Sequence, residues 1–484
     1  MSVARPLGPL AALALALAAA ALPAAAAAAS PPPAGERPTD VYLEQTRGRW
    51  EEVARRIWGF AETALQEKRS AAYLEDLLER EGFQVTRGVG VLPTAFVASA
   101  GSGAPVVALL AEYDALPGLA QDAGVARKEA PAGGSPGHGC GHNLLGAAAV
   151  AAAVAANRER LAEKLPGTVR VFGTPAEEIS AGKAFMIRDG AFRGTDVALA
   201  WHPEAENMLH DRTRLAITAS DVEFFGRSAH ASASPWLGRS ALDALALFDH
   251  AMALMREHVK PTARIHRVVK DGGKVANVIP DYARGQYWLR DATVESVNEM
   301  LERMRKAADG AALATETRAR VTVLSTTREP VPNDALSGVV QRELERVGPP
   351  AFDEKDEQFA RALQRELGVP ELGLSTKVVP YGPGRGSTAS SDIGDVSAVV
   401  PLAELFVATR PLGTPAHQWS QTSCAAHPLG FKGMLVAARV LAASAVDLVR
   451  DPELVRTAQG ELARNMEGKP YRSPLTADAK PVVY

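Results

Sequence analysis

The chain has 484 residues, of which 46% are apolar and 23% are charged, as in an ordinary globular protein. This length provides ample core material and predicts two or more domains. The formal net charge is −3 and the sequence has no basic block, which argues against nucleic acid and anionic membranes as partners.

The first 29 residues differ in composition from the rest of the chain. One charge, Arg5, precedes a Leu/Ala run that ends in small residues, which is the pattern of a secretory signal peptide. We expect cleavage near Ala29 and export to the periplasm or the medium; the alternative is an uncleaved N-terminal anchor. No later stretch of the sequence reaches the roughly 18 to 20 apolar residues of a membrane span.

Residues 38–212 alternate between helical and strand-like patterns. Apolar residues at helical spacing predict two helices over 40–82. The run 105–113 is nearly all apolar, which predicts a strand buried on both faces. Further strands are predicted at 94–99, 168–175 and 196–203, and further helices at 144–165 and 181–190. Strands that alternate with helices predict an α/β catalytic domain with a mostly parallel central sheet flanked by helices.

The pattern changes near residue 213. The segment 214–226 alternates like a half-exposed strand, and the elements after it follow a β-α-β-β-α-β order. This order predicts an inserted ferredoxin-like α+β domain, a lid or dimerisation domain, over 213–328. The α/β catalytic domain then resumes over 329–484.

Polar side chains collect where predicted strands end. Asp114 follows one strand, Glu177 and Glu178 follow another, and His202 ends a third. Cys140 and His142 precede the long helix at 144–165 and join the same group. Because functional groups of open α/β sheets lie at the carboxyl ends of the strands, we expect these residues to lie close together.

Each of these residues also has a plain structural explanation. Adjacent glutamates after a strand can form a solvated turn, and a lone histidine such as His202 or His417 is usually structural. Together they fit metal-assisted hydrolysis, in which one glutamate binds a metal and its neighbour moves protons. Cys140 could be a metal ligand, a nucleophile, or half of a disulfide with Cys424, and the spacing does not decide between these roles.

Seven motifs occur in an order that resembles the M20 metallopeptidase/amidohydrolase family. The resemblance covers residues 40 to 445 and is greatest to the branch that contains aminobenzoyl-glutamate hydrolase B subunits. The motifs are AEYDALPG (111–118), GHGCGHNLLG (137–146), TPAEE (174–178), WHPE (201–204), GRSAHASASPWLGRSALDAL (226–245), ANVIPDYA (276–283) and GTPAHQW (413–419). Asn143 replaces the aspartate that is usual in the indole-acetyl-amino-acid and hippurate hydrolase branch.

The resemblance implies a role for each candidate residue. Glu177 would be the general base that takes a proton from water, and His230 on the lid would stabilise the oxyanion. Asn277 and Arg290 would contact the substrate and its carboxylate, although their alternative is ordinary sheet hydrogen bonding, and Asp114 would orient a ligand. The implied ligands of two divalent ions, zinc or manganese, are Cys140, His142, Glu178, His202 and His417.

The sequence therefore predicts an exported, binuclear metal-dependent amidohydrolase. Its substrate would be an amide between an acyl group, aromatic or bulky, and an amino acid with a free carboxylate. A dipeptidase or carboxypeptidase on the same scaffold is the alternative; a binding protein without metal and a cysteine hydrolase that uses Cys140 are further ones. The expected partners are a second copy of the chain, bound through the lid, or a different second subunit. Asp392, in the glycine-rich loop near 382–392, has no predicted role.

Overall fold

The computed structural model describes residues 35–129, 134–179, 182–209, 214–382, 389–473, 475 and 479–482. The predicted signal peptide, residues 1–29, lies outside the described residues. The strands are β1 Gln84–Val89, β2 Leu92–Ser102, β3 Val106–Ala111, β4 Gly167–Gly173, β5 Val197–Glu204, β6 Met208–Leu209, β7 Ala216–Phe225, β8 Arg264–Asp271, β9 Tyr282–Asp291, β10 Arg318–Thr327 and β11 Leu402–Ala408. The helices are α1 Pro38–Gln45, α2 Arg47–Phe60, α3 Lys68–Arg80, α4 His142–Ala162, α5 Gly182–Arg188, α6 Ala241–Met255, α7 Val294–Ala314, α8 Asp334–Val347, α9 Glu354–Leu367, α10 Ile393–Ser397, α11 Trp419–Cys424, α12 Pro428–Arg450 and α13 Pro452–Asn465.

The larger sheet is mixed, with a parallel centre. Within the described residues its strand order is β1-β2-β4-β3-β5-β11-β6. The pairs β3–β4, β3–β5 and β5–β11 are parallel, and the outer pairs are antiparallel. The carboxyl ends of four strands therefore lie along one edge of the sheet. The prediction of a mostly parallel sheet flanked by helices is confirmed.

Strand β3 shows why both faces of this sheet are covered. Its sequence, VVALLA, is apolar throughout, and its side chains alternate between two cores. Val107 and Leu109 pack in the core that contains α4 and α12. Ala108 and Leu110 pack in a second core with α5 and α10 on the opposite face. A strand buried on both faces is the arrangement that its composition predicts.

The smaller sheet has the antiparallel order β10-β7-β9-β8 and carries α6 and α7 on one face. The chain order β7-α6-β8-β9-α7-β10 is the β-α-β-β-α-β order expected for 213–328. The domain boundaries themselves stay a prediction. The expectation that 214–226 is half-exposed is wrong, because nine of the ten residues of β7 are buried. On the face without helices, Asp221 and Glu223 pair with Arg284 and Arg320, whose long side chains cover the strand.

Residues 40–82 form parts of three helices, α1 to α3, instead of the two predicted. The break falls at Thr46, between α1 and α2. The Thr46 hydroxyl donates to the carbonyl of Tyr42 at 2.7 Å and accepts from the indole of Trp50 at 2.9 Å. A threonine that bonds the preceding turn competes with helix hydrogen bonds, which explains a stop that apolar spacing does not reveal.

Among the described residues, one helix, α12, is long and apolar enough to cross a membrane by length and composition. In its most apolar window, 89% of the residues are buried inside the protein. This burial is that of a core helix, since α12 packs against α4 and β11.

Candidate metal centre

The carboxyl ends of β3, β4, β5 and β11 bring the predicted site residues together. Asp114 follows β3, and Glu177 and Glu178 follow β4 in a short 3-10 turn. His202 lies near the end of β5, and His417 lies in the segment after β11. Parallel strands are what place these separate segments at one edge of the sheet.

Cys140 and His142 reach this edge from the start of α4. Gly141, between them, caps the helix with φ 80°, a left-handed conformation that favours glycine. A Cβ atom there would lie 3.0 Å from both Pro203 and the amide nitrogen of Gln421. The tight turn places the Cys140 Sγ 3.3 Å from Nε2 of His202.

The donor atoms form two groups that share Cys140. One group is Cys140, His142 and His202, and the other is Cys140, Glu178 and His417; within each, donor atoms lie within 4.8 Å of one another. The His417 Nε2 lies 3.5 Å from Oε2 of Glu178. Ligands about 2.1–2.3 Å from a tetrahedral zinc ion are about 3.4–3.8 Å apart, so separations close to this range fit shared metal ions.

Unsatisfied buried atoms give a second reason to place a metal here. Nε2 of His142 and Oε1 of Glu178 are buried and have no hydrogen-bond partner among the described residues. Buried polar atoms in native proteins are nearly always paired, and these two point into a group of thiol, imidazole and carboxylate donors. The residues present therefore fit a divalent metal ion.

Asp114 connects the two groups. Its Oδ1 lies 2.9 Å from Nδ1 of His142, and its Oδ2 accepts the backbone N–H of Glu178 at 2.9 Å. Its side chain is fully buried. A carboxylate on one imidazole nitrogen fixes the tautomer and leaves the other nitrogen, Nε2, for a metal.

The electrostatics of the site favour added positive charge. Burial, followed by the neighbouring carboxylate of Glu112, raises the pKa of Glu177. Burial also raises the pKa of Glu178, and Glu177 adds to the rise. Although burial opposes it, the contacts with Cys140 and Asp114 raise the pKa of His142. A divalent cation would offset the repulsion between these buried carboxylates.

The Cys140 thiol is a poor free nucleophile in this setting. Burial, reinforced by the charge of Glu178, raises the pKa of the Cys140 thiol to about 12. A reactive cysteine needs a lowered pKa, whereas a bound metal would deprotonate the thiol outright. Cys140 and Cys424 are both free and buried, so the structure does not contain the disulfide that the sequence left open.

A strained turn presents the two glutamates. Ala176 has φ 62°, and its N–H donates to the buried carboxylate of Glu67 at 3.0 Å. Non-glycine residues adopt this conformation only where surrounding contacts hold them there. Gly182 closes the turn from the other side, since a Cβ atom on it would lie 1.7 Å from the carbonyl oxygen of Pro175.

We expect Gly182→Ala to destabilise the fold by about 1–3 kcal/mol, because the clash is with backbone and cannot be relieved by a side-chain rotation. Urea unfolding of both proteins measures this. The matched control is Gly59→Ala in α2, where a Cβ atom meets nothing within 4 Å. That change should be neutral or stabilise by up to about 1 kcal/mol. Equal midpoints for the two variants would contradict the close packing of this turn.

The other three predicted site residues lie on the smaller sheet and its loops. His230 is exposed, and its Nδ1 accepts the N–H groups of Ser232 and Ala233 at 3.3 and 3.2 Å. Asn277 is exposed in the loop before β9, where its carbonyl accepts from Ala231. Neither contact reaches the metal centre. Arg290, in β9, donates to the Ser390 hydroxyl at 2.7 Å. Burial lowers the pKa of His417, and the positive charge of Arg290 adds to this effect.

Sequence reasoning missed Glu112 and Lys183 and gave no role to Asp392. The Lys183 ammonium is fully buried, 2.7 Å from the Glu112 carboxylate and 2.6 Å from the Asp392 carboxylate. Asp392, which directly precedes α10, thereby ties α10 to α5 beside the candidate metal centre. One signal was present in the sequence: Glu112 and Lys183 are charged residues in otherwise buried segments.

Thiol, imidazole and carboxylate donors beside a further carboxylate, at the carboxyl edge of an α/β sheet, define a metal-dependent hydrolase. The model of "Peptidase family M20/M25/M40" matches residues 108–429. The chain belongs to this family, which confirms the resemblance read from the motifs and makes the chain a hydrolase.

Two relatives cover most of the chain. The B subunit of the p-aminobenzoyl-glutamate hydrolase of Escherichia coli is 38% identical over 91% of this chain and 98% of its own length. The Xaa-Arg dipeptidase of mouse is 32% identical over 87% of this chain and 90% of its own length. Among solved structures, a dinuclear metal-binding peptidase of the M20 family from Bacillus subtilis has a TM-score of 0.57 and 19% identity, covering 84% of this chain and 99% of that one. This last likeness supports the fold.

Proposed function

We propose that the protein hydrolyses the amide bond between an acyl group, aromatic or bulky, and an amino acid with a free carboxylate. Two divalent ions, zinc or manganese, would be held by Cys140, His142, Glu178, His202 and His417. The observation that carries this proposal is the pair of donor groups that share Cys140 beside Glu177. The E. coli relative is named for an acyl-amino acid, and the B. subtilis structure for two metals.

The residues of the chain supply the proton transfers and the binding of the substrate. Bound divalent ions supply Lewis acidity, which polarises an amide carbonyl and makes water a stronger acid. The Glu177 carboxylate accepts the proton of the attacking water and passes it to the leaving nitrogen. Burial raises the pKa of Glu177 above that of an ordinary glutamate, which strengthens the carboxylate as a base.

His230 would stabilise the oxyanion. Because its Nδ1 accepts two backbone N–H groups, Nε2 carries the proton and is the donor. The residue lies on the predicted lid, so we propose that lid closure or the lid of a second copy brings it to the substrate.

A homodimer through the lid is supported by the edge position of β8 in the smaller sheet. Exposed leucines on α6 also support it: Leu242, Leu247 and Leu254 are 37, 43 and 57% exposed. Since the E. coli relative is named as one subunit of its hydrolase, a different second subunit is the alternative partner.

The end of β9 favours an anionic substrate. Arg264 in β8 lies directly opposite Arg290 in β9, a like-charge pair that a bound carboxylate would stabilise. The same charges would repel the side chain of an arginine substrate. We therefore favour an acyl amino acid with an acidic side chain over the dipeptidase alternative, which the mouse relative represents.

A substrate panel tests this proposal. We expect the metal-loaded protein to turn over an aromatic N-acyl-glutamate at least about tenfold more efficiently, in kcat/KM, than an Xaa-Arg dipeptide, since tenfold is only about 1.4 kcal/mol. Faster cleavage of the dipeptide would establish the alternative. If protein that holds two ions turned over neither class of substrate, the proposed function would be refuted.

Arg290→Gln should raise KM for the acyl-glutamate about 10–100-fold with a smaller effect on kcat. A hydrogen bond to a charged group contributes about 1.5–3 kcal/mol, and each 1.4 kcal/mol is a factor of ten. The matched control is Arg267→Gln, since Arg267 in β8 pairs with Asp249 of α6 on the helix side of the sheet. Equal KM values for the two variants would show that Arg290 does not bind the substrate.

We also propose that the protein is exported. The charged start, the Leu/Ala run and the small residues before Ala29 support removal of residues 1–29 as a signal peptide.

A further inference from the structure

Glu112 lies directly after β3, two residues before Asp114, and its side chain is 6% exposed. Its Oε2 lies 3.3 Å from Nε2 of His142. Both of these atoms are buried, and neither has a hydrogen-bond partner among the described residues. Leaving two buried polar atoms unpaired is costly, so their close approach requires an explanation.

A shared metal ion explains this geometry better than a hydrogen bond does. Asp114 occupies Nδ1 of His142, which leaves Nε2 as the ligand atom. A hydrogen bond needs its proton close to the line between the two heavy atoms, and this alignment is missing. A tetrahedral ion lies off that line, and nitrogen and oxygen ligands at about 2.1 Å from it are about 3.4 Å apart.

Lys183 holds the other oxygen of Glu112. Its ammonium contacts Oε1 of Glu112 at 2.7 Å and Oδ1 of Asp392 at 2.6 Å. Asp392 in turn accepts the backbone N–H of Lys183 at 2.8 Å, which fixes the lysine at both ends. A carboxylate with one oxygen clamped presents the other in a constant direction, here toward His142.

Charge balance agrees with this role. The ammonium of Lys183 contacts two carboxylates, and the buried cluster beside them holds three further carboxyl groups and the thiol of Cys140, so further positive charge would stabilise the cluster. Two divalent ions would supply four positive charges and make Glu112 a useful anion at this place. The five carboxyl groups belong to Glu112, Asp114, Glu177, Glu178 and Asp392.

We propose that Glu112 is a further ligand of the metal centre, bound through Oε2 to the ion that His142 holds and oriented by Lys183. The inference rests on the proposed function, because it assumes the same two ions. The donor atoms of Glu112, His142 and Glu177 lie within 4.8 Å of one another, so this ligand would sit next to the general base.

Metal binding, measured without reference to activity, tests the proposal. We expect Glu112→Gln to weaken cobalt(II) affinity at one of the two sites by about 10–100-fold in titration calorimetry and to change the cobalt absorption spectrum. Glutamine keeps an oxygen for Lys183, so the buried ammonium retains a partner. The matched control is Asp395→Asn, which removes a buried carboxylate of α10 that bonds the Tyr471 hydroxyl at 2.8 Å instead of Lys183, and it should keep wild-type affinity and spectrum. Equal losses in both variants would reduce Glu112 to a structural role.

A crystal structure of the metal-loaded wild-type protein provides a test that needs no variant. Oε2 of Glu112 should lie about 2.0–2.3 Å from an ion. An Oε2 atom more than about 3 Å from both ions would overturn this inference while leaving the proposed function intact. A protein that binds no ion at all would instead refute the proposed function.

Discussion

Glu177→Gln should lower kcat for an N-acyl amino acid by about 10²–10⁴-fold, the contribution of a positioned general acid–base. Glutamine has nearly the shape of glutamate but cannot accept a proton from water or return one to the leaving nitrogen. KM should stay close to wild type and both ions should stay bound. Glu177 lies outside the two donor groups that share Cys140, and in the group that it forms with Glu112 and His142 the proposed ligands are the other two residues. Steady-state kinetics and metal analysis on one preparation measure both effects.

The neighbouring residue provides the control. Glu178→Gln should lose bound metal together with activity, because Glu178 lies 3.5 Å from His417 and shares a donor group with Cys140. The Glu177 variant should thus lose turnover alone, whereas the Glu178 variant should lose both metal and turnover. If Glu177→Gln also lost metal, or kept more than about a tenth of wild-type kcat, Glu177 would not be the general base.

Chelation should reduce amide hydrolysis by at least about 10³-fold, and added zinc or manganese should restore it. Lewis-acid stabilisation contributes several kcal/mol, and each 1.36 kcal/mol is tenfold in rate. The same experiment decides the role of Cys140. Cys140→Ser should lower the number of bound ions, since a thiol whose pKa is raised to about 12 gains its charge from a metal.

A cysteine hydrolase would give the opposite results. Its activity would survive chelation, and its Cys140→Ser variant would keep wild-type metal content while losing turnover. Alkylation of the metal-loaded protein adds a third readout. Bound metal should slow the alkylation of Cys140 by iodoacetamide relative to the chelated protein, whereas a catalytic nucleophile would react at the same rate in both. The other thiol, Cys424, is fully buried and serves as an internal control.

The sequence predicts the elements around the site well, because periodicity and composition carry that information. The all-apolar run of β3 and the alternating helices are sufficient to predict a sheet that is covered on both faces. They also predict that the polar groups lie at one edge of this sheet. The break at Thr46 and the burial of β7 were not predictable in this way. Both depend on side-chain contacts, a hydroxyl bonded to Tyr42 and arginines laid across acidic residues, and not on apolar spacing.

The candidate site was predicted only in part. Spacing could not say which histidine of GHGCGH faces the metal centre: His142 does, whereas Nε2 of His138 contacts the carbonyl of Ile57 at 3.0 Å. Nor could spacing find the contact of Glu112 with Lys183, since the two residues are far apart in sequence and meet only through the order of the strands. Family resemblance supplied the ligand set, and three-dimensional contacts supplied its surroundings.

The composition of α4 limits how this enzyme can change. Eight alanines between Ala147 and Ala156 are at most 1% exposed, and the helix that they form is packed between the sheet and α12. Any larger side chain there would push the helix outward and shift Cys140 and His142 at its start. Substitutions that alter substrate choice should therefore accumulate on the smaller sheet and its loops. The start of α4, which carries Cys140 and His142, would be inherited almost unchanged, and the distance between this helix and the strand ends would stay constant.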